Sequence, residues 1–429
     1  MFGFANFLLL ALFAAAVFDL IFALARGGGL RGALHGPWNT PHLLFGQQLA
    51  EWRLQLGRIL FAAGLAAYEI SVVFCNSMAR QNWAWVQGMM SPVLEWLAFL
   101  CFGAKILFGT RYTWRELLAG GALYFIARWV YFNSQNIWWI GIVVAVLAAK
   151  DVPLRRPLQV YFASGCAAMA VVLALHFAGI VAPDLTSERM GALRGTYGYG
   201  HPNTFGGLVF GLVLAYALLR AQKVRWVDCL LVFAVGVFLL VGPASRSAAL
   251  CTLALAVGLV FCRLRAGHSV PRWWPGTCAG MVGLTAAVSY LLPLLVIKVG
   301  PWNNDIGPAW LAKLDSLLTC RISLTWMAYR LLDVKIAGQV FNWPTVDNSF
   351  AFALFQFGPV VAALLGILFA AALWGHAKQG RRVEVCCLFA MLAYAYMEVQ
   401  PFHLTTNPTA LLLCGAVFAQ TSARWQKIE

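Results

Sequence analysis

The sequence predicts an all-α polytopic membrane protein, and three observations carry that expectation. Hydrophobic residues make up 61% of the chain and charged residues only 11%, with a mean hydropathy of +0.75. The apolar residues gather into runs long enough to cross a bilayer. Lysine and arginine are concentrated in alternate connections between those runs. Helices follow because a lipid-facing backbone has to satisfy its own hydrogen bonds. A net charge of +15 would suggest nucleic acid in a soluble chain. Here the charges mark topology, and no nucleic-acid partner is expected.

At ~20 residues per crossing, fewer where a helix is short or broken, the chain holds about 12–13 spans. The first run, 4–25, has no basic leader and no clear small-residue cleavage site, so it reads as a retained span. The runs 58–75, 91–109, 116–132, 136–149 and 158–181 follow, with the boundary between 116–132 and 136–149 weakly marked. Next come 203–219, 226–242, 247–262 and 277–297, and last 349–374, 384–398 and 407–421. All belong to a single transmembrane domain, 1–429, without an internal repeat.

One set of loops is short and strongly basic. It holds Arg26, Arg31, Arg53 and Arg58, then Arg111 and Arg115, then Lys150, Arg155 and Arg156. It continues with Arg220, Lys223 and Arg225, with Arg263, Arg265 and Arg272, with Lys378, Arg381 and Arg382, and with Arg424 and Lys427. These are assigned to the cytoplasm, which places the unusual polar residues outside. The external segments are then 182–202, the turn 242–247, the long loop 298–348 and the connection 398–407. In the long loop, Leu311, Leu314, Leu318, Ile322 and Met327 recur at roughly helical spacing, as in a helix lying along the membrane interface.

The glycine-rich stretch from Arg194 to Gly207 opens an apolar run at Pro202, so it reads as a helix N-terminus suited to an anion. Gly195, Gly198 and Gly200 permit positive φ or close approach of a ligand. Arg246 stands in a tight turn on the side where positive charge is disfavoured. With Arg194 and Arg321 it suits a diphosphate, whose oxygens match the guanidinium fork. His201, His403, Asp347, Asn348, Glu398 and Asn407 can act in chemistry or simply as caps and hydrogen-bonded loop residues. Glu69, Glu95, Lys105 and Arg128 lie within spans and serve function or architecture, Glu69 or Glu95 pairing with Lys105 or Arg128. The eleven cysteines fall mostly inside apolar runs and read as small core residues, while Cys75 and Cys320, both placed near the outer face, could form a disulfide. No phosphate-binding loop, serine-elbow or zinc motif occurs, and neither a metal nor a cofactor is expected.

Taken together, Arg194 with Gly200-His-Pro-Asn-Thr-Phe-Gly206, Ser245-Arg-Ser247, Arg321, and Val346-Asp-Asn-Ser-Phe350 with Phe357-Gly358 resemble the Wzy-type polymerases of O-antigen, capsule and exopolysaccharide repeat units. The resemblance covers the chain from about residue 155 onward; the first third is similar only in hydropathy. It implies a GT-C-like, metal-independent glycosyltransferase of the bacterial plasma membrane. Such an enzyme moves a glycan from undecaprenyl diphosphate to the next lipid-linked unit on the outer face. It implies Arg194, Arg246 and Arg321 as diphosphate ligands. Asp347, His201 and Glu398 are the candidates for the base, and Gly200, Asn203 and Asn348 for shaping the substrate site. A flippase and a chain-length regulator are the partners it implies. Two rivals stay open: an O-antigen-type ligase, and a transporter of lipid-linked glycans. The long loop has no histidine between Lys298 and Asn348, which favours polymerase over ligase.

Overall fold

The computed structural model describes residues 37–38, 40–110, 112–181, 187–189, 192–296 and 307–418. The expected span 4–25, the start of the long loop and the C-terminal basic residues Arg424 and Lys427 lie outside these residues. The described chain is helical apart from two short ribbons, Pro37–Trp38 paired with Tyr112–Thr113 and Ser187–Arg189 paired with Ala192–Arg194. Among the described residues, seven helices are long and apolar enough to cross a membrane, and three shorter apolar helices accompany them. By that measure it is a multi-pass membrane protein.

The first half contains α1 (Thr40–Cys75), α2 (Ser91–Phe108), α3 (Trp114–Ser134), α4 (Ile137–Ala148) and α5 (Arg155–Phe177). Helix α1 packs on α2 and α5 through Phe61, Leu65 and Phe102. The weakly marked boundary between α3 and α4 is an N-cap: Asn136 Oδ1 accepts from the backbone of Trp138 (3.1 Å) and Trp139 (3.3 Å). Such a cap satisfies donors that the first helical turn leaves open. Helix α3 forms as expected, but it is not among the described helices long and apolar enough to cross a membrane. Lys105 pairs with neither Glu69 nor Glu95; it donates to Thr110 Oγ1 at 2.7 Å and to the Lys150 carbonyl. Arg128 sits over the Phe132 ring.

The second half contains α6 (Pro202–Leu219), α7 (Trp226–Val241), α8 (Arg246–Leu264) and α9 (Trp274–Leu291). It continues with α10 (Ala309–Leu317), α11 (Arg321–Leu331), α12 (Pro359–Lys378) and α13 (Arg382–Met397). Glycines let the 398–407 connection lie against α6. A side chain at Gly207 would approach the Tyr394 hydroxyl to 2.8 Å, and one at Gly211 would approach Thr406 Cα to 2.9 Å. Gly211→Ala is therefore expected to displace backbone and to cost about 1–3 kcal/mol, read as a lowered melting temperature of the detergent-purified protein.

The long loop, the run that follows it and the cysteines depart from expectation. The helical pattern in the long loop is not one helix. It breaks at Thr319 and Cys320, both at φ 61°, and Asp315 holds the corner. Its Oδ1 accepts from the backbone of Ile322 (2.8 Å) and Ser323 (3.2 Å), while Ser323 Oγ donates to Oδ2 at 2.8 Å. The apolar run 349–374 is not continuous either. A short helix, Ser349–Phe352, passes into a π-turn at Ala353–Phe357 and stops at Gly358, φ 87°, before α12 begins at Pro359. Gly358 meets the backbone of Lys335 and Ile336 from the long loop, so the break is where that loop docks. Cys75 and Cys320 are not joined in a disulfide.

Candidate functional site

Three segments that the charge pattern places on one face meet at one end of the bundle: 194–203, 243–247 and 398–407. The long loop joins them through Arg321. Glu398, just past the end of α13, is the hub. Its Oε1 accepts from Arg321 Nη2 at 2.6 Å, Ser247 Oγ at 2.9 Å and Asn203 Nδ2 at 3.1 Å. Asn203 in turn accepts, through Oδ1, from Arg194 Nη2 at 2.9 Å. The line Arg194–Asn203–Glu398–Arg321 thus joins residues far apart in sequence. Glu398, Arg194 and Arg321 are only 5%, 6% and 7% exposed.

Both buried arginines are anchored in protein acceptors. Arg194 also donates to the carbonyls of Ala244 (3.1 Å) and Pro243 (3.4 Å). Arg321 also donates to the Leu318 carbonyl at 2.8 Å, to the Met397 carbonyl and to Ser247 Oγ at 3.3 Å. Arg321 is therefore not the solvated residue that an interfacial helix would carry. Arg246 differs: it is exposed and forms the first turn of α8. The N-terminus of α6 lies beside that of α8, because Gly206 packs on Ser245. Two helix N-termini close together favour negative charge.

Burial pushes the Glu398 carboxyl up; the Arg321 guanidinium beside it pulls the other way and the Asp347 carboxylate adds to the rise, leaving it at about 7. Asp347 itself is half-buried and near enough for its charge to be felt. Asn348 caps the helix Ser349–Phe352, accepting from Phe350 N at 2.9 Å, and donates to Ser289 Oγ at 3.2 Å. Ser349 Oγ donates to the Glu398 carbonyl at 2.5 Å. Of the three base candidates, Glu398 is bonded directly to a buried arginine, Arg321.

His201 is the N-cap of α6: its Nδ1 accepts from Asn203 N at 3.1 Å, which commits that lone pair to the helix. His403 packs on the Trp138 indole at 3.8 Å between centroids. Burial pushes it down to about 3, so it is neutral at physiological pH. Of the three loop glycines, Gly198 alone takes positive φ, at 80°. Gly200 is at a crossing point, its N–H donating to the Asn76 carbonyl at 3.4 Å. Gln400 and Tyr394 were not marked by the sequence. The Tyr394 hydroxyl donates to Gln400 Oε1 at 2.7 Å, and Gln400 Nε2 donates to the Asn203 carbonyl at 3.2 Å. They brace Asn203 from behind. Their one sequence signal was Gln400's place two residues after Glu398.

Comparison with protein-family models, with curated proteins and with solved structures finds no match to this chain.

Proposed function

We propose that the chain is a membrane-embedded glycosyltransferase that polymerises lipid-linked oligosaccharide repeats. The observation that supports this best is the buried Arg194–Asn203–Glu398–Arg321 line ending beside the exposed Arg246 and two helix N-termini. Such an arrangement pairs a cationic seat for a diphosphate with a carboxyl able to exchange a proton near neutral pH. In this reading the chain crosses the bacterial plasma membrane about 12–13 times in a GT-C-like fold. The site faces outward, and membrane lipids surround it. A flippase supplies the undecaprenyl-diphosphate-linked unit and a chain-length regulator limits the product.

An acceptor hydroxyl attacks the anomeric carbon of the donor glycan, forming the new glycosidic bond. The bond from that carbon to the diphosphate oxygen breaks, and undecaprenyl diphosphate departs with the bonding pair. Glu398, ionised above pH 7, takes the hydroxyl proton. Arg246 meets the departing charge, so the reaction does not require a metal. Arg194 and Arg321 hold Asn203 and Glu398 in place and add their charge to the seat. Attack opposite the leaving group inverts the anomeric carbon.

Arg246→Lys tests the seat. A lysine keeps the charge but not the planar fork, and the residue is exposed, so insertion and folding should be unchanged. Turnover of a lipid-diphosphate repeat unit is expected to fall on the order of 100-fold. Near-normal polymer from this variant would count against a bidentate diphosphate contact.

A further inference from the structure

We propose that Cys262 and Cys386 form an oxidation site at which a hydroperoxide closes a disulfide between α8 and α13. Their sulfur atoms lie 3.5 Å apart, although 124 positions separate them in the chain. Cys262 stands near the end of α8 and Cys386 in the second turn of α13. Both are free thiols, Cys262 buried and Cys386 half-buried.

The helix ends that carry them are fixed against each other. One turn before Cys262, Gly258 lets α13 approach: a side chain there would come to 3.1 Å from Cys386 Sγ and 3.2 Å from its Cβ. Arg382, which opens α13, donates to the Arg265 carbonyl at 2.8 Å, just past the end of α8, and also to the His268 carbonyl. Close packing on one side and a guanidinium on the other keep the two thiols together. A disulfide requires the sulfurs at about 2.05 Å. Closing the gap from 3.5 Å takes roughly 1.5 Å, shared between two side chains.

Exposure sets the order of the chemistry. The half-buried Cys386 meets the oxidant first, and its thiolate attacks one peroxide oxygen. The S–O bond forms, the O–O bond breaks, and the other oxygen leaves as an alcohol or as water. The sulfur of Cys262 then attacks the sulfenic acid on Cys386. The S–S bond forms, and the hydroxyl departs with the Cys262 proton as water. Two thiols have given up two electrons and two protons, and the hydroperoxide has taken them. At the opposite ends of the same two helices, Ser247 donates to Glu398 at 2.9 Å. The disulfide therefore fastens at its second end a helix pair already joined at the first, whatever reaction that site performs.

The test treats full-length protein in detergent with hydrogen peroxide, denatures it in N-ethylmaleimide and maps the peptides by mass spectrometry. A peptide pair joined through Cys262 and Cys386, and released by dithiothreitol, is the expected result. A cross-link across so long a loop restrains the unfolded chain. The oxidised protein should accordingly melt several degrees higher than the reduced one, a shift reversed by dithiothreitol and absent in Cys262→Ser and Cys386→Ser. The proposal is overturned if folded protein emerges from peroxide with both thiols still alkylated, or with either oxidised further and no cross-link. Joining of either cysteine to Cys229 or Cys387 overturns it as well, as does a reversible rise in melting temperature that survives in Cys386→Ser. Should the serine variants fail to fold, the wild-type peptide map decides alone.

Discussion

Glu398→Gln is expected to abolish polymer formation while the protein still inserts and purifies as a single species. The glutamine oxygen can keep accepting from Arg321, Ser247 and Asn203, the three donors now at 2.6, 2.9 and 3.1 Å. What is lost is the group that takes the acceptor proton, a role worth on the order of 100-fold or more in rate. The fold should tolerate the neutral residue, because the carboxyl, pushed up to about 7, is itself largely protonated in mildly acidic solution. The same shift sets the pH profile of the wild type. A base works in its deprotonated form, so the rate should rise as pH increases through about 7 and be lost below it. Full turnover by Glu398→Gln, or a wild-type profile flat from pH 5 to 9, would remove Glu398 from the chemistry.

Arg321→Ala is expected to act on stability first. It leaves the Glu398 carboxyl buried without its cation and also strips donors from the Met397 and Leu318 carbonyls. Breaking one side of a buried pair costs roughly 3–5 kcal/mol. The sign of its pH dependence follows from Glu398. Without Arg321 the carboxyl binds its proton more tightly in the folded state than the wild type does. Unfolding releases that proton, so the deficit is smallest in acid and grows as pH rises through 7. Thermal melts of variant and wild type across that range read the divergence directly. Adding Glu398→Gln to Arg321→Ala removes the stranded charge and should recover part of the loss. A double variant no better than Arg321→Ala alone would mean that the pair is not the source of the stability.

The sequence carried the helical, membrane-spanning class because hydropathy and loop charge are summed over many residues, and single errors do not alter the outcome. Local chemistry was legible as well. Pro202 opens α6, and Asn348 caps the helix that follows it. The residues of the site were legible as types but not as partners. Asn203 meets Glu398 across 195 positions, and no local pattern records such a contact. Arg321 looked like a charge on an amphipathic surface helix; its burial depends on the corner at Cys320, where a cysteine takes a left-handed φ that nothing in its type requires. Gly358 was hidden for the opposite reason. Hydropathy runs through it unbroken, while its φ and the long-loop backbone against it end the helix. His201 and His403 were marked as candidates by residue type, and their surroundings make one a helix cap and the other a neutral, packed ring.

Polymerisation of a lipid-diphosphate-linked repeat at this site is tested most directly by a single experiment. Purified full-length protein in nanodiscs is given the lipid-diphosphate-linked oligosaccharide of its own source. Products are resolved on a gel beside an assay for released lipid diphosphate. A ladder spaced by one repeat, with lipid diphosphate released in step, is the predicted result. Folded protein that yields neither ladder nor release from authentic substrate would contradict the account, and lipid movement across sealed vesicles without a new glycosidic bond would make the chain a transporter instead.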